Sequence, residues 1–383
     1  CSSVLDFTLV DDGDNTVKLE AARTAYTQLG VSAGAAGAGD ALVGLSYANA
    51  DAAAYLGAVD SLGSAQAVNT ALGALAPEMY PSLLDVSQAG NAAFGSVITG
   101  RMGNLHIAQG KQDFRFANNM ITEEGPVSSR LPAFDRRAEG WSSWARVFGM
   151  TGDQDKDGAL QGFDYDTYGI SIGADNKISN EVAVGLGLGY ADTAADFDSN
   201  NQSTDVESIF ASLYSTYSVD TFYIDGAVTY SSNDYDSSRG IPLAGTAAKS
   251  STDGSEWGIM IGGGLNMVDD DTKYFIPTAS VKWTSLDIDG FTEKGAGVFN
   301  LDVADYDTDS FITSLGFRFG GKMGDAVKFE PELRLAWAHE FGDTDRDVKA
   351  NFVGDTTTFK IEAVEPDEDS AILGLGANIF ING

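Results

Sequence analysis

The sequence predicts an all-β protein, a transmembrane antiparallel β-barrel of the outer-membrane type, preceded by a mainly helical segment that partly occupies the pore. Three observations carry this expectation. First, in the stretch Val327-Lys-Phe-Glu-Pro-Glu-Leu-Arg-Leu-Ala-Trp337 one alternate set is Val327, Phe329, Pro331, Leu333, Leu335 and Trp337. The other set is Lys328, Glu330, Glu332, Arg334 and Ala336. A strand sends alternate side chains to opposite faces, so one face is continuously apolar and the other carries mixed charge. Second, this pattern recurs about ten times, and the segments between strands alternate between short turns and long acidic loops, as in outer-membrane barrels. Third, aromatic residues stand at strand ends, including Trp141, Tyr190, Tyr230, Trp257, Tyr274, Trp283 and Trp337. Such residues form girdles at the two membrane interfaces. Lipid outside and a wet lumen inside explain all three, and backbone pairing in lipid requires the sheet to close.

Along the chain, residues 1–20 hold two short β-like runs around the turn Asp11-Asp-Gly-Asp14. From 21 to 119 the composition becomes Ala-rich. Helical spacing appears at Ala65, Val68, Ala71, Leu72 and Leu75, and again, after Pro77, across 80–101. Gly90, Gly95 and Gly100 weaken that second helix but make it slim enough for a pore. Residues 120–139, with Pro126 and Pro132, read as a linker. The domain boundaries are thus 1–20, 21–139 and 140–383. Strands are expected over 141–150, 165–176, 181–190, 206–217, 222–230, 257–267, 274–283, 311–319, 327–337 and 371–381. In the third of these, Val182, Val184, Leu186, Leu188 and Tyr190 oppose Ala183, Gly185, Gly187 and Gly189. So much empty volume on the polar face implies a lumen that something else fills.

Composition narrows the function. The formal net charge of -33 over 383 residues argues against nucleic-acid partners, which need Lys and Arg against phosphate. Solvated acidic loops account for it. Cys1 is the only cysteine, so an internal disulfide and a cysteine metal site are both excluded. Because it begins with Cys1 rather than Met, the chain is expected to be a processed product or, by preference, part of something longer. No run approaches the roughly 18 apolar residues of a membrane helix. Barrel strands need only about 9–11 residues, so a membrane location stays open.

Several motifs together resemble the autotransporter (type V secretion) family. Glu330-Pro-Glu-Leu333 followed by Trp337-Ala-His-Glu-Phe-Gly342 resembles the family's "P…W.HEFG" region, which includes His339, Glu340 and Phe341. Phe291-Thr-Glu-Lys-Gly-Ala-Gly297, with Glu293 and Gly295, precedes Leu301-Asp-Val303 and Ser314-Leu-Gly316 in the family's order. Gly140-Trp141, Trp144-Ala-Arg146 and Asp166-Thr-Tyr-Gly169 resemble its opening strands, and 72–102 resembles the segment before such barrels. The resemblance covers about 140–383. It implies an outer-membrane translocator of a Gram-negative bacterium that exports an N-terminal passenger to the cell surface and anchors it there. It further implies a pore helix within 80–119, the end of a β-helical passenger at 1–20, and the barrel-assembly machinery as partner. The family usually has twelve strands, so either the two beyond the ten read here lie past Gly383, which is the expectation, or the barrel closes in an unusual way. The alternative is a porin-like channel with a helical plug.

Chemistry-bearing motifs are few. Asp153, Asp155, Asp157 and Asp164 copy calcium-loop spacing, with Gly158 at the turn, although an acidic hairpin would show the same residues. No other cofactor is expected. Asn118-Asn119 could serve self-cleavage of the kind seen in some autotransporters, or could be two polar linker residues. His106 and His339 are the only histidines, and neither belongs to a triad pattern, so no catalytic residue is assigned. The lumen charges Lys282, Arg318, Lys328, Glu330, Glu332 and Arg334 are expected to pair with one another across strands.

Overall fold

The structure is a computed structural model that describes residues 2–11, 17–107, 119–122, 125–128, 134–137, 140–199, 201–219, 221–267, 273–321, 327–342 and 344–381. An antiparallel hairpin of β1 (Leu5–Asp11) and β2 (Val17–Arg23) opens the chain. Four helices follow, α1 (Ala33–Ser46), α2 (Ala50–Asp60), α3 (Ala65–Gly73) and α4 (Met79–Ile107). Side chains cap the first three. Ser32 accepts from the amide of Ala35, Asn49 from those of Asp51 and Ala52, and Ser64 from that of Ala67. Pro81 sits in the first turn of α4, where its missing N–H costs no helical bond.

Short strands β3 (Asn119–Thr122), β4 (Gly125–Ser128) and β5 (Phe134–Arg137) come next. The wall then runs through β6 (Trp141–Gln154), β7 (Phe163–Lys177), β8 (Val182–Phe197), β9 (Ser203–Ser218), β10 (Phe222–Ile241), β11 (Thr246–Leu265) and β12 (Lys273–Ile288). A loop excursion carries β13 (Phe291–Thr292) and β14 (Leu301–Val303) before β15 (Tyr306–Gly321) and β16 (Val327–Glu340). A second excursion carries β17 (Asp347–Phe352) and β18 (Phe359–Glu362), and β19 (Asp369–Ile381) ends the wall.

Ten long antiparallel strands therefore form the wall, and the sheet curls until its edges meet. The linker expected over 120–139 takes part. β3 pairs with β19 at Leu373↔Ile121, and β4 touches β6 at Val127↔Met150, so the ring closes through this pair. Edge strands without partners would leave backbone groups unpaired in lipid, and any segment with free N–H and C=O groups can supply them.

The outward face is apolar across the middle of the wall. Leu186, Leu188, Ile209, Leu213 and Ile261 are all exposed, as a lipid-facing surface requires. Two aromatic belts bound it. Tyr230 and Trp257 pack at the loop end with tilted rings, centroids 4.9 Å apart, and Tyr217 and Phe222 meet at the turn end. The short connections between β7 and β8 and between β9 and β10 lie at one end, taken as periplasmic, and the long excursions at the other.

The strands outrun the sequence expectation on the loop side. β10 continues from Tyr230 to Ile241, and β11 begins at Thr246 rather than near Trp257. Past the belt the outward residues change from apolar to acidic. Asp192 stands opposite Glu207, Glu207 opposite Asp234, and Asp234 opposite Asp253. Water replaces lipid there, so alternation persists without greasy residues to reveal it. The strands β13, β14, β17 and β18 form a small sheet over the outer mouth. The helices α1–α3 rest on it, with Gly34 against Ile361 and Gly37 against Phe359.

Candidate functional site

The functional arrangement is α4 inside the barrel. Its N-terminus lies at the loop end and its C-terminus at the turn end, where β6 begins. Leu83, Leu84, Val86, Phe94, Val97, Ile98 and Met102 are all buried on it, although no helix of the described chain is long and apolar enough to cross a membrane. The helix leans on the wall made by β6–β10. There the glycines of β8 admit its bulky side chains. A Cβ on Gly187 would lie 2.7 Å from Ile98, and one on Gly189 would lie 2.6 Å from the Phe94 ring. Phe94 also stacks on Phe210 of β9, centroids 4.8 Å apart. The occupied lumen inferred from Gly187 and Gly189 is thus filled by Ile98 and Phe94. The far wall is different. On β12, β15 and β16, Thr278, Ser280, Lys282, Ser314 and Arg334 stay half-exposed, whereas Thr167 and Ser171 under the helix are 0% and 1% exposed.

Two polar latches fasten the helix. At the outer end Arg239 of β10, fully buried, donates through Nε to Glu293 at 2.8 Å and through Nη2 to the carbonyl of Phe299 at 2.8 Å. Arg239 also binds the second Glu293 oxygen and the carbonyl of Ala74, between α3 and α4. Glu293 accepts from the Tyr80 hydroxyl and from the amide of Leu301. Tyr306 donates to the carbonyl of Tyr80 at 2.7 Å. One ion pair thereby joins wall, mouth sheet and the first turn of α4. At the inner end Arg101 forks onto Asp175 of β7, with Nε···Oδ2 2.6 Å and Nη2···Oδ1 2.9 Å, and also reaches Ser142. Tyr214 donates to the same carboxylate and receives the Trp144 indole N–H. His106, near the helix end, meets Thr216 and Asp225 and lies over Tyr223.

Glu78 is a displaced acid of the mouth, outside the membrane-spanning segments. Glu78 accepts from the Gln161 amide in the β6–β7 loop at 2.6 Å, and burial pushes its carboxyl up to about 8. A folded-state value above the unfolded one adds stability at low pH, fully present below about 4.5 and lost as pH rises towards 8. Glu78→Gln should therefore flatten the decline of mouth stability between pH 5 and 8. Hydrogen exchange of α3 across that range reads it, and an unchanged slope would refute the assignment.

The residues singled out from sequence fall in several places. Arg318 of β15 pairs with Glu332 across the strands, whereas Arg334 pairs with Glu332 along β16 itself, and Glu332 also accepts from Tyr274. Lys282 faces the lumen. The side chains of Lys328, Glu330 and Asn119, together with all of Asn118, lie outside the described residues; the backbone of Asn119 opens β3. Glu340 receives the amides of Phe311 and Gly342, each at 2.7 Å, so it ties β15 to the end of β16. His339 sits between Trp337 and Phe341 on the outer belt and contacts Asp369. Gly295 has φ +103°, a backbone conformation that suits glycine and turns the loop carrying Glu293. Asp153 and Asp164 are opposed on β6 and β7, with Asp155 and Asp157 in the loop between. Among the described residues no three His, Cys, Asp or Glu side chains are grouped to hold a metal ion. Sequence reading assigned no role to Arg239 or Tyr80, and Asp175 stood out only as part of the family-like segment Gly173-Ala-Asp175. The isolated Arg239 in a Ser-rich stretch offered a further signal.

A ring of amphipathic strands around a helix of the same chain, latched at both ends, defines an outer-membrane barrel of the translocator class. The family profile "Autotransporter beta-domain" matches residues 143–383, and the chain belongs to that family. The extracellular serine protease of Serratia marcescens is 23% identical over 330 residues, covering 84% of this chain and 31% of that protein. Outer membrane protein A of Rickettsia rickettsii is 25% identical over 267 residues, covering 66% and 12%. The chain thus spans less than a third of the length of these relatives. Among solved structures, the translocator domain of NalP from Neisseria meningitidis is similar at 14% identity and TM-score 0.46, covering 75% of this chain and 96% of that one. The chain is a translocator β-domain of the Gram-negative outer membrane.

Proposed function

We propose that this chain carries an upstream passenger through the outer membrane and afterwards holds it at the cell surface. The observation that supports this best is the direction of α4. The polypeptide approaches from the loop side, where β1, β2 and α1–α3 lie, passes down the lumen, and returns to the turn side to begin β6. A segment N-terminal to α4 is therefore on the outer side while its anchor is in the wall. On this reading the β1–β2 hairpin is the end of the exported portion, and the barrel-assembly machinery inserts the wall. The work is physical rather than catalytic: the lumen supplies a hydrated route, and the chain itself performs no bond chemistry.

A protease added to intact cells should cleave an epitope fused ahead of residue 2, and leave one placed in the 178–181 turn intact. The wall should survive carbonate washing and run faster on gels before boiling than after. An N-terminal epitope protected from external protease would overturn the export reading. A band unaffected by boiling would overturn the barrel as well.

A further inference from the structure

The buried acids that line the lumen or its mouth are mostly paired: Asp175 with Arg101, Asp225 with His106, Glu293 with Arg239, and Glu332 with Arg318 and Arg334. Glu256 of β11 is different. It is 0% exposed and neither of its carboxylate oxygens has a hydrogen-bond partner. Its neighbours share the condition. Ser231 stands directly opposite it on β10, and Asn233 is the next lumen-facing residue on that strand. Ser231 Oγ is buried and unpartnered, and Asn233 Nδ2, buried beside the Tyr235 hydroxyl, makes no well-formed bond. From the helix, Ser87 bonds Tyr235 on β10 at 2.7 Å, and Asn91, one turn further, turns its side-chain amide towards the Glu256 carboxylate without a well-formed bond at Nδ2. Lys282 of β12 attracts the Glu256 carboxylate through space without forming an ion pair with it, and Tyr235 is the other titratable group nearby.

A buried carboxylate without a partner is costly, and so is each unpaired amide beside it. Rotation of an amide group exchanges its oxygen and nitrogen, so Asn91 and Asn233 can both present oxygen to this space. The donor set then consists of the two Glu256 oxygens, Ser231 Oγ and two amide oxygens. An all-oxygen set suits a hard cation. With a single formal negative charge, it is neutralised by a monovalent ion, whereas a divalent one would leave net charge in a low-dielectric interior. We propose that Glu256, Asn91, Ser231 and Asn233 bind a hard monovalent cation of the sodium type, which fastens the middle of α4 to β10 and β11 between the two latches. The site does not depend on what the barrel exports.

The full chain, extracted in detergent, is heated in sodium chloride or in choline chloride of equal ionic strength, so that screening of the acidic surface is the same. Sodium should raise the temperature of the gel-mobility transition by about 2–5 °C in a saturable manner. Glu256→Gln, which keeps the shape and removes the charge, should abolish the difference. A transition indifferent to the choice of cation, or equally sensitive in the variant, overturns the proposal and leaves a protonated or water-bridged carboxyl. As a measurement independent of stability, crystals soaked in rubidium or thallium should show an anomalous peak against the Glu256 carboxylate. Density for hydrogen-bonding water alone, with no such peak, overturns it too.

Discussion

Arg239→Met should release the cap from the mouth and cost roughly 3–5 kcal/mol, because it leaves Glu293 buried without its counter-ion. Both side chains are 0% exposed, so water cannot take over the lost interaction. The carbonyls of Ala74 and Phe299 lose their donor in the same change. The expected readouts are a lower gel-mobility transition and rapid proteolysis within α1–α3, with the wall still folded. The double change Arg239→Met with Glu293→Leu tests the cause. Replacing both members of a buried pair by apolar residues is often close to neutral, so the double variant should recover at least half of the loss. If it is as unstable as the single variant, the orphaned carbonyls, together with the Tyr80 hydroxyl and Leu301 amide that Glu293 serves, dominate and the ion pair is not what holds the mouth.

Gly189→Val should loosen the pore helix. The added Cβ would lie 2.6 Å from a Phe94 ring already stacked against Phe210, so helix or wall must move. Overpacking of this kind costs about 1–3 kcal/mol. Applied to a helix-in against helix-out equilibrium, that corresponds to about a five- to 150-fold increase in the open population. Single-channel recording in planar bilayers would show it as longer conducting dwell times. Phe94→Ala removes the obstructing ring, so Gly189→Val should open the pore far less in that background than in the parent. Additive effects of the two changes would mean that Gly189 and Phe94 do not meet.

The barrel was legible in the sequence because its signal is local. Alternation along 327–337 and the opposition of Leu186 and Leu188 to Gly187 and Gly189 are decided within one strand by lipid on one side and helix on the other. The extensions of β10 and β11 were not legible, since Ser and Asp replace apolar residues outside the belt and remove the contrast. The latches were hidden for another reason. Arg239 and Glu293 are 54 residues apart, and Arg101 and Asp175 are 74 apart, so nothing in either neighbourhood announces the partner. Glu293 stood out only by family resemblance. The partners of β19 and β6 were equally obscure, because the short strands β3 and β4 carry no apolar period of their own.

The one-sided seating of α4 affects how it could ever leave. A rod gripped on its whole circumference must be dragged, breaking every contact at once against friction along its length. A rod stuck along a single flank can be peeled, beginning at whichever end unfastens first and swinging into the solvent that lies beside Lys282 and Arg334. Departure by that route would proceed in small successive steps, and each latch would set the force at which its own end begins to lift.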